Sequence, residues 1–119
     1  MTSFTPSSSP FAAPQARKLS SGLLKAIDAH VYEVPTGRSA TINSMWIAST
    51  HTGSVSVRVH HTRPGEDAST SNALIYDYSL SSKTTIVYDQ LIYLNSGDKI
   101  VVRADTADKI CVTLYGVEA

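Results

Sequence analysis

Residues 54–61 read SVSVRVHH, and this stretch decides the fold class. Val55, Val57 and Val59 alternate with polar residues, and successive side chains of a strand lie on opposite faces. The alternation predicts a β-strand with one face on a core and the other in water.

Similar short runs, rich in β-branched and aromatic residues, continue along the chain from about residue 21, separated by turn signals such as Pro35-Thr36-Gly37. Eight strands are predicted, at 23–27, 30–34, 40–49, 54–61, 73–80, 84–94, 99–104 and 110–117. A break near Asp89 and Gln90 would divide the sixth. The spacing favours an all-β sandwich or barrel, and the one weak alternative is a short helix within 20–29.

The third predicted strand, 40–49, does not alternate cleanly. Ile42 and Trp46 lie on one face, whereas Met45 and Ile47 lie on the other. Two interpretations remain open: both faces are covered, or a bulge near Ser44 shifts the register.

Residues 1–21 differ in composition from residues 22–119, which form the predicted sandwich domain. Three prolines and many Ser and Thr residues exclude a helix or a central strand from this N-terminal stretch. Phe4, Phe11 and Leu19 are spaced apolar residues that could anchor it to a partner. The stretch is either a disordered tail or an extended arm that orders against a neighbour.

Charge and hydropathy exclude several classes of partner. Ten basic and ten acidic residues give a formal net charge of zero, so no electrostatic footprint for nucleic acid or an anionic membrane is expected. The apolar runs are too short for a membrane span, and the N-terminus lacks the pattern of a secretory signal. The single cysteine, Cys111, lies in an apolar run and is expected to be a buried, inert thiol.

The sequence assembles no recognisable chemistry. His60 and His61 are adjacent, so they point to opposite faces and cannot share a metal, and His61 is expected to be packed or at an interface. Asp98, Asp105 and Asp108 suit ordinary turns better than a calcium loop. No nucleophile elbow or phosphate-binding glycine loop is present, so we expect no enzyme activity, no cofactor and no metal.

Six tyrosines are many for this length. Tyr76 and Tyr78 share one face of their predicted strand, where they could pack in the core, form an interface or bind carbohydrate. Together with His61 they are the candidate oligomer interface.

Four motifs carry a resemblance to a known group. They are YEVPTG at 32–37, ATINS at 40–44, LNSGDKIVVRA at 94–104 and LYGVE at 114–118. In this order they resemble a loose group of small virion structural proteins of tailed bacteriophages. Most of the matching positions are turn residues and strand apolar residues, so the pattern describes a fold more closely than a task.

The resemblance implies an antiparallel jelly-roll sandwich in a phage particle, commonly assembled as a homotrimer. It also implies a capsid decoration, or cement, protein that binds the major capsid protein lattice at the capsid surface. In that case the arm, residues 1–21, would lie along a neighbouring subunit or the lattice. The alternatives are a tail, head–tail adaptor or fibre component and, from another class, a carbohydrate-binding module.

Overall fold

A computed structural model describes residues 17–24 and 28–119, and this part of the chain is all-β. Its nine strands are β1 Arg17–Leu23, β2 Ala29–Glu33, β3 Ala40–Ser49, β4 Val55–Thr62, β5 Ala73–Leu80, β6 Thr85–Tyr88, β7 Ile92–Leu94, β8 Lys99–Ala104 and β9 Ile110–Glu118. The predicted sixth strand is divided at residues 89–91, which accounts for nine strands where eight were expected.

Two antiparallel sheets form a sandwich. The front sheet has the order β1-β9-β3-β6, with β7 also paired to β3, and the back sheet has the order β2-β8-β4-β5. The pairing is nested: β1 pairs with β9, β2 with β8, β3 with β6 and β7, and β4 with β5. This is the jelly-roll arrangement, so the predicted fold class is confirmed.

A bulge in β3 explains its irregular alternation. Ile42 lies opposite Gly116 and Ser44 opposite Tyr115, so Asn43 is an extra residue on β3. Past the bulge the pattern changes phase, and Ile42, Met45 and Ile47 are all fully buried while Trp46 is 46% exposed. The bulge interpretation is therefore confirmed, and one face of β3 points away from the core.

The sandwich begins nearer the N-terminus than the sequence analysis predicts. β1 takes in residues 17–21, which the sequence analysis assigned to the arm, and pairs them with β9. Of the nine described strands only β9 pairs with β1, which is therefore an edge strand, where a Ser- and Gly-rich run without alternation is tolerated. Residues 20–23 are strand rather than helix, and residues 25–27 of the predicted first strand lie outside the described residues.

The predicted arm anchors are separated by this boundary. Leu19 is partly buried and packs against the hydrophobic core, so it belongs to the sandwich. Phe4 and Phe11 lie outside the described residues.

Polar contacts connect the two sheets at one end of the core. The Tyr32 hydroxyl on β2 donates a hydrogen bond to Glu118 Oε2 on β9, and Arg17 Nη2 donates to Glu118 Oε1 at 3.1 Å. Burial and the hydrogen bond to Glu118 raise the pKa of the Tyr32 hydroxyl far above its ordinary range. The Ser20 hydroxyl on β1 also donates to the Val31 carbonyl on β2. These contacts fix the position of the front sheet's edge strand over the back sheet.

Candidate docking faces

The outward side chains of the front sheet form a surface that we call the front face. The strand register arranges them in four rows across the sheet. The rows are Lys18, Tyr115 and Ser44; Ser21, Thr113, Trp46 and Val87; Leu23, Cys111, Ala48 and Thr85; and Val117, Thr41 and Tyr93. Lys18, on the edge strand, is the one charged residue among these positions.

Most of the large apolar side chains that are exposed in the described residues belong to the front sheet or border it. Eight large apolar side chains are exposed among the described residues, and six belong to the front sheet or to the β6–β7 connection. These six are Leu23, Trp46, Val87, Leu91, Tyr93 and Tyr115. Exposed patches of this kind mark docking surfaces in soluble proteins.

The outward surface of the back sheet, which we call the back face, is charged. Arg58 lies directly opposite Arg103, and a bulge in β5 places both Tyr76 and Asp77 beside Arg58. The guanidinium of Arg58 contacts both carboxylate oxygens of Asp77, at 2.6 and 3.2 Å, and stands 4.3 Å over the Tyr76 ring. These hydrogen bonds hold the pKa of Asp77 below its ordinary value.

Two recesses lie on the back face. One, of about 160 Å³, is lined by Ser56, Arg58, Asp77, Arg103 and Asp105. Its two carboxylates are already engaged, since Asp77 binds Arg58 and Asp105 accepts from the Ser56 amide at 3.1 Å. With two cations and two anions, this recess has no net charge to attract a ligand.

The second recess, of about 300 Å³, lies between the back face and the loop that follows β4. It is lined by Asp28, His30, Thr62, Glu66, Asp67, Ala68, Lys99 and Val101. The Thr62 hydroxyl is buried there and has no hydrogen-bond partner among the described residues. In the described part of the chain no group of three or more His, Cys, Asp or Glu side chains could hold a metal ion.

The three residues predicted for an oligomer interface do not come together. Tyr76 lies on the back face against Arg58 and His60, whose ring is 6.4 Å away in an edge-on arrangement. Tyr78 lies opposite Val57, and opposed residues of an antiparallel pair share a face, so it is on the core side of the sheet's edge. The bulge between the two tyrosines thus places them on different faces.

His61 lies on the inner side of the back sheet, opposite Ile100. Its Nε2 is 2.9 Å from Asp98 Oδ2, which also accepts from the Asn95 amide at 3.0 Å. Burial alone would raise the pKa of Asp98, but the bonds from His61 and Asn95 hold it below its ordinary value. His61 therefore serves a contact inside the fold, where it fixes the turn before β8.

Sequence reasoning missed the front face. It placed Cys111 in the core, whereas the register places this residue outward, between Leu23 and Ala48, with partial exposure. The alternation of residues 110–114 carries the signal, because Ile110, Val112 and Leu114 are buried and the residues between them are not. Ile110, Val112 and Leu114 are the more hydrophobic set and face the core, so the sequence itself held the signal that Cys111 points outward.

Comparisons with known proteins found distant structural likenesses and no sequence match. No protein-family model and no curated protein matches the sequence. Among solved structures, the chain is similar to the Eiger TNF of S. frugiperda, with 18% identity, a TM-score of 0.40 and coverage of 75% of this chain and 64% of that one. It is also similar to a chain of the infectious bursal disease virus Gx strain, with 11% identity, a TM-score of 0.42 and coverage of 90% and 30%.

Both likenesses are too distant to carry an argument about function, and the chain spans less than two thirds of either structure. No helix in the described ranges is long and apolar enough to cross a membrane.

Proposed function

We propose that this chain is a structural protein of a bacteriophage virion, a capsid decoration protein that binds the major capsid protein lattice and has no catalytic role. The observation that carries the proposal is the front face, a broad surface with a single charge at its edge, on a rigid jelly roll. Such a surface suits repeated protein–protein contact.

Two of the motifs that carry the phage resemblance contact each other in the fold. Val34 donates its amide to the Asp98 carbonyl at 2.9 Å, and Gly97 donates to the Val34 carbonyl at 3.1 Å. Gly37 donates to the Ser96 hydroxyl at 2.9 Å. The turns in YEVPTG and LNSGDKIVVRA are thus one structural unit, and Gly37 and Gly97 adopt the positive φ angles that these turns require.

Attachment to the lattice is assigned to the N-terminal segment. Phe4 and Phe11 are the chain's two phenylalanines, and they precede the first described strand. In this proposal they insert into apolar sites on capsid subunits, while the sandwich stays outside as a rigid body. Each contact is weak, and repetition across a symmetric assembly supplies the avidity that stabilises the shell.

The location of the protein in intact particles tests the proposal. Quantitative mass spectrometry of purified virions should find a copy number that scales with the number of capsid subunits. A copy number that is a small multiple of the tail's rotational symmetry would instead establish the tail, adaptor or fibre alternative. Absence from purified particles would refute a virion role altogether.

A full-length Phe4→Ser, Phe11→Ser double variant tests the attachment. We expect it to fold and self-associate as the wild type does and to lose co-sedimentation with capsids. Leu19→Ser is not a suitable third change, because Leu19 packs against the core and its loss would lower stability. Capsid binding at wild-type affinity by the double variant would remove the arm from the mechanism.

A further inference from the structure

We infer that the front face is where copies of this chain bind one another. The inference rests on the proposed function, which takes the chain to be an assembly protein. It adds that the partner of the front face is a second copy of the same chain. The back face, with its charged residues, is left to face solvent or other partners.

The size of the front face fits a stable interface. Four strands at about 4.8 Å spacing and four rows at about 7 Å spacing give a patch of roughly 500 Å² in projection. Side-chain relief raises the accessible area above that figure. A stable interface buries about 600–1,000 Å² from each partner, so the front face approaches the lower end of this range.

The chemistry of the front face favours a second copy over an unrelated partner. Across a two-fold axis the same patch meets its own copy, and around any closed symmetry axis equivalent residues approach one another, so charges near the axis would repel their equivalents. The rows that contain Trp46, Cys111 and Tyr93 hold no charged residue, and Lys18 lies at the outer edge. A charged heterologous partner would find no complementary charge on this surface.

The composition of the front face is also that of interface cores. Trp46, Tyr93 and Tyr115 are exposed by 46%, 68% and 38%, and aromatic side chains are enriched where protein–protein contacts are fully desolvated. The back face presents the opposite character, since its Arg58 is directly opposite Arg103. Placing two back faces together would remove both arginines, with Asp77 and Asp105, from water, and this desolvation is costly.

Sedimentation equilibrium of the full-length protein tests the inference. The wild type should have a mass that is a multiple of 12.8 kDa, and Trp46→Glu should sediment as a single chain of 12.8 kDa. The matched control is Tyr76→Glu, since Tyr76 is equally exposed, at 48%, but lies on the back face. We expect the control to keep the wild-type mass.

A second variant and a second readout keep the test decisive if Trp46→Glu does not fold. Val87→Glu lies on the edge strand β6, is 43% exposed, and should also sediment as a single chain. Cys111 should react with a thiol reagent more slowly in the wild type than in a folded front-face variant.

Three outcomes would overturn the inference. The first is a wild type that sediments as a single chain. This includes the case in which residues 1–16 of the same chain cover the front face and protect Cys111 from the thiol reagent. The second is a folded front-face variant that keeps the wild-type mass, and the third is dissociation by Tyr76→Glu alone. None of these bears on presence in virions, so a protein that self-associates but is absent from particles would refute the proposed function and leave this inference standing.

Discussion

Substituting Gly116 by alanine should be among the most damaging single changes in the described sandwich. Gly116 lies on β9 opposite Ile42, next to the β3 bulge at Asn43. A Cβ atom at position 116 would lie 2.1 Å from the Thr41 carbonyl oxygen and 2.9 Å from the Ile42 Cα. Both obstacles are backbone, so no side-chain rotation can relieve the overlap.

The magnitude follows from the displacement required. Ordinary contact begins near 3.4 Å, so β9 and β3 must separate by more than 1 Å at this point. Overpacking costs about 1–3 kcal/mol. Each ladder hydrogen bond weakened by the separation adds about 1 kcal/mol. We expect a loss of about 3 kcal/mol or more, out of a total of roughly 6–18 kcal/mol for a domain of this length.

Urea unfolding followed by the fluorescence of Trp46, the chain's single tryptophan, measures the effect at fixed protein concentration. Gly22→Ala is the matched control, because among the described residues no atom beyond the two chain neighbours lies within 4 Å of its added Cβ. Its stability should change by less than about 0.5 kcal/mol. A Gly116→Ala protein that unfolds at the wild-type urea concentration would refute the close approach of β3 to β9.

Two pH-dependent predictions follow from the polar contacts. Asp98→Asn should lower stability by about 1–3 kcal/mol at pH 7, because it weakens the bonds to His61 and Asn95. The pKa of Asp98 is lowered on folding, so the contribution of its carboxylate to folding stability is complete above about pH 4 and is lost as the pH falls through the lower folded pKa. Between pH 7 and pH 2 the urea midpoint of the variant should therefore fall less steeply than that of the wild type. Equal slopes for the two proteins would contradict this prediction. Tyr32→Phe should cost about 1 kcal/mol at pH 7, the value of its hydrogen bond to Glu118. Because the pKa of Tyr32 is raised on folding, its contribution to folding stability is lost as the pH rises above about 10. The difference in stability between wild type and variant should therefore be smaller in unfolding experiments at pH 10.5 than at pH 7. A constant difference would argue against this reasoning.

The all-β class and most strand positions could be predicted because alternation and turn residues are local signals. The bulge near Ser44 was one of two open interpretations, since the sequence of β3 does not say which side is covered. The bulge in β5 was missed and reverses the relation between Tyr76 and Tyr78. At this bulge Asp77 adopts a φ of 53°. Aspartate tolerates this conformation better than most residues, but an aspartate in a sequence seldom predicts it without other signals.

The front face could not be predicted because it belongs to no single strand. Each of its rows joins residues from at least three strands, far apart in sequence, and only the sheet order makes them neighbours. The start of β1 was missed for a related reason. Residues 17–21 lack alternation, and their strand structure depends on the partner β9 at the other end of the chain.

The nested pairing of strands also determines when in synthesis a chain becomes able to join its copies. Every row of the front face passes through β9, the last of the nine described strands to be synthesised, which supplies Tyr115, Thr113, Cys111 and Val117. A chain cut short before residue 110 lacks the strand between β1 and β3, so its four rows cannot form. If the front face joins the copies, incomplete products are excluded from the assembly without a separate proofreading step.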